Sequence, residues 1–142
     1  MIIAGRSVVD WVTERINPHG GWGKDAQGIG VARDGKLIAG VIYTDYNTAN
    51  VNMHVAAVDK SEWLTRLNLR YFFDYPFNQM QVKRITALVS ESNAKSVRLI
   101  EGVGFRHETT LTDAAPDGDL LVYVMRRNDC IWIKENHEKI AA

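Results

Sequence analysis

The sequence has a single cysteine and no excess charge of either sign. Cys130 alone can form no internal disulfide and no cysteine-cluster zinc site, and a free thiol suits a reducing compartment. Lys and Arg together number 17, as do Asp and Glu. The chain therefore has no overall charge that would attract nucleic acid or an anionic membrane. The histidines also lack the spacing of metal ligands, so we expect no metal and no nucleic-acid partner.

Long apolar runs are absent as well. No segment approaches the ~20 apolar residues that a membrane-spanning helix needs, and no long apolar run follows Arg6 to form a secretory signal. We therefore expect a cytoplasmic protein without a membrane partner. The 142 residues, of which 46% are hydrophobic, are enough for one core and too few for two ordinary domains. We expect one domain that covers residues 1–142.

The sequence does contain alternating helix and strand patterns. Helices are predicted at 7–16, from about 60 to 75, and at 93–103. Strands are predicted at 28–33, 36–43, 51–58, 84–90, 105–110 and 120–126, and the tail from 129 can add a last helix. This order predicts an α+β (mixed α/β) domain whose sheet begins with three antiparallel strands.

Several predicted helix ends depend on individual residues. Ser7 can cap the first helix, and Asp59 can cap the second with Glu62 three residues on, as in a capping box. Pro76 is expected to end the second helix. Gly104 is a natural left-handed stop for the third helix.

Patterns inside the elements predict which side chains share a face. Asp34-Gly35 between the first two strands is typical of a tight hairpin, because glycine tolerates positive φ. Alternation along strand 51–58 gives two faces. One face carries Asn52, His54, Ala56 and Val58, and the other carries Met53, Val55 and Ala57. On the second helix the expected buried stripe is Leu64, Leu67 and Tyr71, widened by Phe72 and Tyr75.

The most informative motif follows strand 84–90. Residues 92–105 read SNAKSVRLIEGVGF, which is the pattern SN-x-x-S-x-x-L-x-E-x-x-GF. A strand, a polar corner, a short amphipathic helix and Gly-Phe in this order resemble the second half of the GNAT family of N-acetyltransferases. The order of elements extends the resemblance over most of the chain, most firmly from 51 to 126.

The resemblance implies a GNAT-like domain that uses acetyl-CoA as its cosubstrate. In that family the strand corresponding to 51–58 splays from the strand corresponding to 84–90, and the pantetheine arm fills the wedge between them. The implied cofactor contacts are backbone groups near Val55, Ala56 and Val58, the loop residues Lys60, Ser61, Trp63, Leu64 and Thr65, and the helix residues Asn93, Ser96 and Leu99. Asn93 can equally be a simple helix cap.

Two features of this chain depart from the family pattern. The family's pyrophosphate loop, Gln/Arg-x-x-Gly-x-Gly/Ala, aligns with Asp59, Glu62 and Leu64. Neither glycine is present, and the two carboxylates have the wrong charge for a diphosphate. Many members place a tyrosine after the motif's leucine as the acid for the leaving thiolate, and here that position is Ile100.

The implied reaction is direct attack of an amine on the acetyl thioester, which benefits from a general base. His54 is the first candidate, because an ordinary histidine pKa of ~6.5 suits proton abstraction at neutral pH. The competing interpretation is a structural histidine. Glu91, at the end of the following strand, is the second candidate. Trp22 and Tyr43 are expected to line the side where the amine enters.

Two functions remain open at this point. One is an acetyltransferase whose acceptor amine belongs to a protein or a small molecule. The other is a catalytically weak or inactive GNAT-fold module that binds CoA or a protein partner, which the missing glycines and Ile100 favour. A homodimer through strand 120–126 is compatible with both, because the final strands otherwise leave an exposed margin.

Overall fold

A computed structural model describes residues 1–17 and 20–133 of the protein. The strands are β1 (Ile2–Ala4), β2 (Gln27–Arg33), β3 (Lys36–Thr44), β4 (Asn50–Ala57), β5 (Arg84–Ser90), β6 (Arg106–Ala115) and β7 (Gly118–Arg126). The α-helices are α1 (Arg6–Ile16), α2 (Arg66–Asp74) and α3 (Ala94–Val103). A π-helical turn follows α2 at Tyr75–Gln79, and a 3₁₀ turn follows β7 at Arg127–Asp129.

The described strands form one sheet in the order β1-β2-β3-β4-β5-β7-β6. Every neighbouring pair is antiparallel except β4 and β5, which are parallel. The predicted α+β class and mostly antiparallel sheet are therefore confirmed. The sequence patterns missed β1, a three-residue strand that pairs with β2 through Ile2 and Val31.

The hairpin between β2 and β3 turns at the predicted dipeptide. Asp34 and Gly35 both have positive φ, 53° and 77°, as a type I′ turn requires. The turn sets a register in which Arg33 pairs with Lys36 and Gly30 with Gly40.

Helix α1 packs very close to the sheet because the strands beneath it carry glycines. An added Cβ at Gly40 would lie 2.6 Å from Cγ2 of Val12, and one at Gly28 would lie 3.0 Å from the backbone nitrogen of Val9. Val8, Val9 and Val12 are fully buried in this contact. The close approach fixes the end of α1, and hence the loop that carries Trp22, over one face of the sheet.

The larger core lies on the opposite face, under α2, the π-helical turn and α3. Phe72, Phe73 and Phe77 are at most 1% exposed there. Alternate residues of β4 lie on opposite faces of the sheet, as predicted. Ala56 belongs to the small cluster under α1, whereas Met53 and Val55 pack against the large cluster. The two faces of β4 therefore meet different layers of the protein.

The start of α2 differs from the prediction. The helix begins at Arg66, and its cap is Thr65, whose Oγ1 accepts the backbone N–H of Asn68 at 3.1 Å. Asp59 and Glu62 therefore do not form a capping box. The reason is Trp63, whose side chain is buried against Phe72 and holds the preceding residues in an irregular loop.

The shifted start also changes the face that α2 buries. Leu69, Phe72 and Phe73 are the buried residues of the helix. The expected stripe is wrong for Leu64, Leu67 and Tyr71, which are 46%, 60% and 48% exposed, and correct for Phe72.

Two further helix ends were predicted incorrectly. Helix α1 begins at Arg6 behind Gly5, whose φ is 118° and whose carbonyl accepts the N–H of Val8. Ser7 therefore lies inside the first turn and does not cap it. Pro76 does not end the helical path either, because a wider π-helical turn accommodates its missing N–H. Asn93 and Gly104 bound α3 as predicted.

The sequence also predicted the wrong strand, 120–126, for the outer edge of the sheet. Strand β7 pairs with β5 on one side and β6 on the other, so residues 120–126 do not form a free edge. The edge is β6, whose first nine residues are all exposed. The predicted final helix from 129 lies mostly outside the described residues. In the described part of the chain, no helix is both long enough and apolar enough to cross a membrane.

The close packing of α1 predicts the effect of adding one methyl group. Gly40→Ala should lower the free energy of unfolding by about 1–3 kcal/mol, because the new Cβ overlaps Val12 in a packed core. The control is Gly102→Ala in α3, where nothing lies within 4 Å and the better helix former should raise stability by up to about 1 kcal/mol. Urea unfolding of both variants measures the difference. Equal stabilities would contradict the tight contact.

Candidate functional site

Strands β4 and β5 separate partway along their length. They pair only at Asn50–Arg84, Val51–Ile85 and Asn52–Thr86. β5 stays paired with β7 as far as Ser90, and β4 stays paired with β3 as far as Ala57. The ladder is therefore open between the second halves of β4 and β5, as the resemblance implied.

The register identifies which backbone groups face this gap. The N–H of Val58 donates to the carbonyl of Ile38 at 2.8 Å. Because bonding direction alternates along an antiparallel strand, Ala56 also turns its main-chain groups toward β3. The carbonyl of Val58 accepts from Ser61 in the following loop. Val55 and Ala57 turn their main-chain groups into the gap. A backbone contact of the cofactor with Val55 therefore stays a prediction that fits the geometry, whereas the N–H groups of Ala56 and Val58 point away from the gap and Ala57, which the sequence did not single out, faces it.

Two adjoining cavities open from the gap. The first, here called the wedge cavity, measures about 230 Å³. Its lining includes His54, Val55, Trp22, Leu88, Ser90, Asn93, Ser96 and Ile100. The second, here called the basic groove, measures about 740 Å³. Its lining includes Arg15, Val55, Ala56, Val58, Lys60, Ser61, Trp63, Leu64, Asn93, Lys95, Ser96, Arg98 and Leu99. Ile16, Val55, Asn93 and Ser96 belong to both linings, so the two cavities are neighbours.

The basic groove brings together cations from three separate segments. Arg15 is held at the end of α1, where its guanidinium lies 3.7 Å from the ring centroid of Trp11. Lys60 comes from the loop after β4, and Lys95 and Arg98 come from α3. The sequence prediction included Lys60 and missed the other three, because their proximity depends on how α1 and α3 meet the loop.

One carboxylate partly offsets these cations. Asp59 accepts a hydrogen bond from Lys95 in an exposed ion pair, and this contact lowers the pKa of Asp59. Surface pairs of this kind contribute little stability, so Lys95 can exchange this partner for another anion. Asp59 is therefore a counter-ion within the lining of the groove, and it does not cap α2 as predicted.

Two of the predicted cofactor residues at α3, Asn93 and Ser96, lie where both cavities meet. Asn93 Oδ1 accepts the backbone N–H of Ser96 at 3.2 Å, so the capping interpretation is correct and is compatible with lining the cavities. Ser96 and Leu99 line the basic groove. Thr65 is different, because it caps α2 and is not among the groove's lining residues.

His54 lies in a defined set of contacts on the α1 face of β4. Its Nε2 is 3.0 Å from Oγ1 of Thr44. The Trp22 ring packs against its imidazole with centroids 4.4 Å apart, and Trp22 Nε1 donates to Oγ1 of Thr13 at 2.6 Å. The predicted pair His54 and Trp22 is therefore brought together at the wedge cavity.

Burial changes the acid–base properties of His54. Desolvation lowers its pKa from the ordinary 6.5 to about 4, and the nearby charge of Asp45 opposes part of that change. At neutral pH the imidazole is therefore uncharged and has a lone pair available to accept a proton.

The other three positions considered for chemistry differ from expectation. Tyr43 is only 1% exposed, and its hydroxyl donates to the carbonyl of Phe72 at 2.6 Å. Burial raises its pKa, so Tyr43 is a core residue and not part of an acceptor surface. Glu91 is exposed in the turn after β5 and lines neither cavity. Ile100 lines the wedge cavity and supplies no proton there.

Comparison with known proteins gives structural matches only. No protein-family profile matches the chain, and no curated protein matches it in sequence. The spermidine/spermine N-acetyltransferase SpeG from Vibrio cholerae, solved with manganese ions, aligns at a TM-score of 0.72 and 15% identity, covering 90% of this chain and 92% of SpeG. A dodecameric structure of the same enzyme gives 0.73 and 14%, covering 95% and 96%.

A ribosomal-protein alanine acetyltransferase from Vibrio fischeri is also similar. It aligns at a TM-score of 0.61 and 18% identity, covering 73% of this chain and 63% of that protein. At such identities the likeness shows the fold alone. The fold is that of the GNAT family, which confirms the fold that the sequence motif predicted.

The lowered pKa of His54 predicts a change in stability with pH. The unfolded chain takes up a proton on this side chain below about pH 6.5, whereas the folded protein does so only below about pH 4. Unfolding therefore becomes easier as pH falls through this window, by up to about 3 kcal/mol from this group. Urea titrations of the wild type and His54→Gln at several pH values should show a smaller loss in the variant. Parallel curves would contradict the burial.

Proposed function

We propose that the chain is an N-acetyltransferase that moves the acetyl group of acetyl-CoA to an amine of a protein or a small molecule. The observation that carries the proposal is the open ladder between β4 and β5, with the main-chain groups of Val55 and Ala57 turned into it. An extended amide-containing arm can add to such a strand as another strand would. Pantetheine is such an arm.

The phosphates of the cosubstrate would lie in the basic groove. In the family pattern, glycines allow backbone N–H groups to approach the diphosphate. This chain has Glu62 and Leu64 at the two glycine positions instead, and its groove offers the side-chain cations Lys60 and Arg98. Charge-assisted contacts from side chains can replace the backbone contacts of a glycine loop.

The chemistry proposed for the wedge cavity begins with an uncharged amine. Its nitrogen attacks the thioester carbon, the N–C bond forms, and the C–S electron pair leaves with sulfur as a thiolate. The attacking nitrogen becomes strongly acidic as it bonds, so even a base of low pKa such as His54 can remove its proton. With Ile100 at the usual acid position, the thiolate takes its proton from solvent or from the imidazolium.

A second candidate function rests on the two departures from the family pattern. With Ile100 lining the wedge cavity and no glycine in the loop, the fold can bind CoA or a protein partner and turn over slowly or not at all. We place the enzyme first, because His54 is held in ordered contacts at the cavity. A homodimer remains part of the proposal, now through the exposed edge β6.

The proposal predicts acetyl-CoA binding that depends on the basic groove. Calorimetric titration should give micromolar affinity for the wild type. Arg98→Gln should weaken binding by roughly three- to tenfold, about 0.7–1.4 kcal/mol, with the difference shrinking at high salt. Arg6→Gln, the same change at the exposed start of α1 and outside both cavity linings, is the matched control and should leave the affinity unchanged.

Desulfo-CoA and ATP complete the experiment. Desulfo-CoA should bind nearly as well as CoA, and ATP should bind poorly because it has no pantetheine arm. Binding of acetyl-CoA followed by thiol release in the presence of an amine panel supports the enzyme. Binding without thiol release favours the binding module. No binding at millimolar acetyl-CoA would reject both the enzyme and a CoA-binding module.

A further inference from the structure

Two residues that the sequence did not single out lie directly behind His54. Oγ1 of Thr44 is 3.0 Å from Nε2 of His54 and 3.0 Å from Oδ2 of Asp45. Thr44 is only 3% exposed, the one buried polar residue in the described chain. The three side chains therefore form a continuous line from the wedge cavity to an exposed carboxylate.

The hydrogen-bonding capacity of these groups fixes the direction of the line. A carboxylate only accepts, so the single hydroxyl proton of Thr44 goes to Asp45. The oxygen of Thr44 is then left to accept, and Nε2 of His54 must donate. In the neutral imidazole this places the proton on Nε2 and leaves the lone pair on Nδ1.

Asp45 is itself held in place by neighbouring strands. Its Oδ2 also accepts from Nδ2 of Asn52 at 3.2 Å. Asn52 in turn accepts from Asn50 at 3.1 Å, and Asn50 accepts from Thr86 at 2.6 Å. Asp45 has φ of 56°, a left-handed conformation that aspartate tolerates better than most residues. The line behind His54 is thus anchored across β3, β4 and β5.

The remaining surroundings of His54 carry no charge that competes with Asp45. From the α1 side it meets the ring of Trp22, and on the wedge side its neighbours in the cavity lining are apolar or neutral, as are Val55 and Ile16. The ionised group that acts on His54 is Asp45, which favours the protonated imidazole. This is the direction that helps a base hold a proton.

We propose that Thr44 and Asp45 are positioning residues that hold His54 in the Nε2–H tautomer and so present Nδ1 as the proton acceptor. The inference rests on the proposed acetyl transfer. The proton of the attacking amine moves to Nδ1 while the N–C bond forms and the C–S pair leaves with sulfur. The resulting imidazolium keeps donating through Nε2 to Thr44, with the carboxylate of Asp45 behind it. The proton on Nδ1 then passes to the thiolate or to water.

The tautomer is measured directly by ¹⁵N NMR of the imidazole nitrogens in the intact protein at pH 7. The wild type should show a protonated Nε2 and an unprotonated Nδ1. Thr44→Val should give averaged shifts from a tautomer mixture, and Thr44→Ser should restore the wild-type pattern. Asp45→Asn should also give a tautomer mixture, because an amide can donate to Thr44 as well as accept from it, and should lower the pKa of His54 further. Thr112→Val, the same change on the exposed strand β6, is the control and should alter nothing.

Thiol release from acetyl-CoA adds a second readout. Thr44→Val should lower kcat roughly 10²-fold with little change in the KM for acetyl-CoA, and Thr44→Ser should recover most of it. A mixed tautomer in the wild type, or an unchanged tautomer in Thr44→Val, would overturn the inference. The expected tautomers without any thiol release in the wild type would support the positioning of His54 and reject the acetyl transfer. The backbone spectrum of each variant shows whether it is folded.

Discussion

The open ladder between β4 and β5 is the constraint on which the rest of the structure depends. Three pairs hold the strands together at one end, and beyond Asn52 and Thr86 each strand keeps only its other neighbour. An interior sheet with unpaired main-chain groups is costly unless a ligand or water satisfies them. The wedge cavity, the basic groove and the polar start of α3 all lie at this gap. The position of the site therefore follows from the sheet topology, and the side chains around it determine its charge and its acid–base groups.

The two faces of β4 bring different kinds of residues to the gap. On one face, glycines let α1 approach closely, which brings Trp22 against His54 and leaves Thr44 buried behind it. On the other face, Val55 belongs to the large apolar cluster beside α2 and α3. The polar side chain of His54 and the apolar side chain of Val55 therefore reach the wedge from alternate positions of one strand. A one-residue slip in its register would exchange them.

The sequence predicted the parts of this arrangement that depend on local patterns. Asp34-Gly35 and the motif at 92–105 gave a hairpin and a capped helix, since turn and cap chemistry is decided by neighbouring residues. The predictions that were wrong concerned features that depend on packing between segments far apart in the sequence. Helix α2 begins later than predicted because Trp63 is buried in the preceding loop. Tyr43 is a core residue because α2 covers it. Arg98 and Thr44 escaped notice because their partners lie on other elements, and no spacing in the sequence reveals such proximity.

The most direct test of the account follows individual backbone amides of β4 during an acetyl-CoA titration by ¹H–¹⁵N NMR. We expect the amides of Val55 and Ala57, which face the gap, to shift strongly and to gain protection from hydrogen exchange. The amides of Ala56 and Val58, which point to β3, should change little. Saturating acetyl-CoA that leaves Val55 and Ala57 unperturbed, with shifts confined to other surfaces, would contradict the central claim that the gap between β4 and β5 is the ligand site.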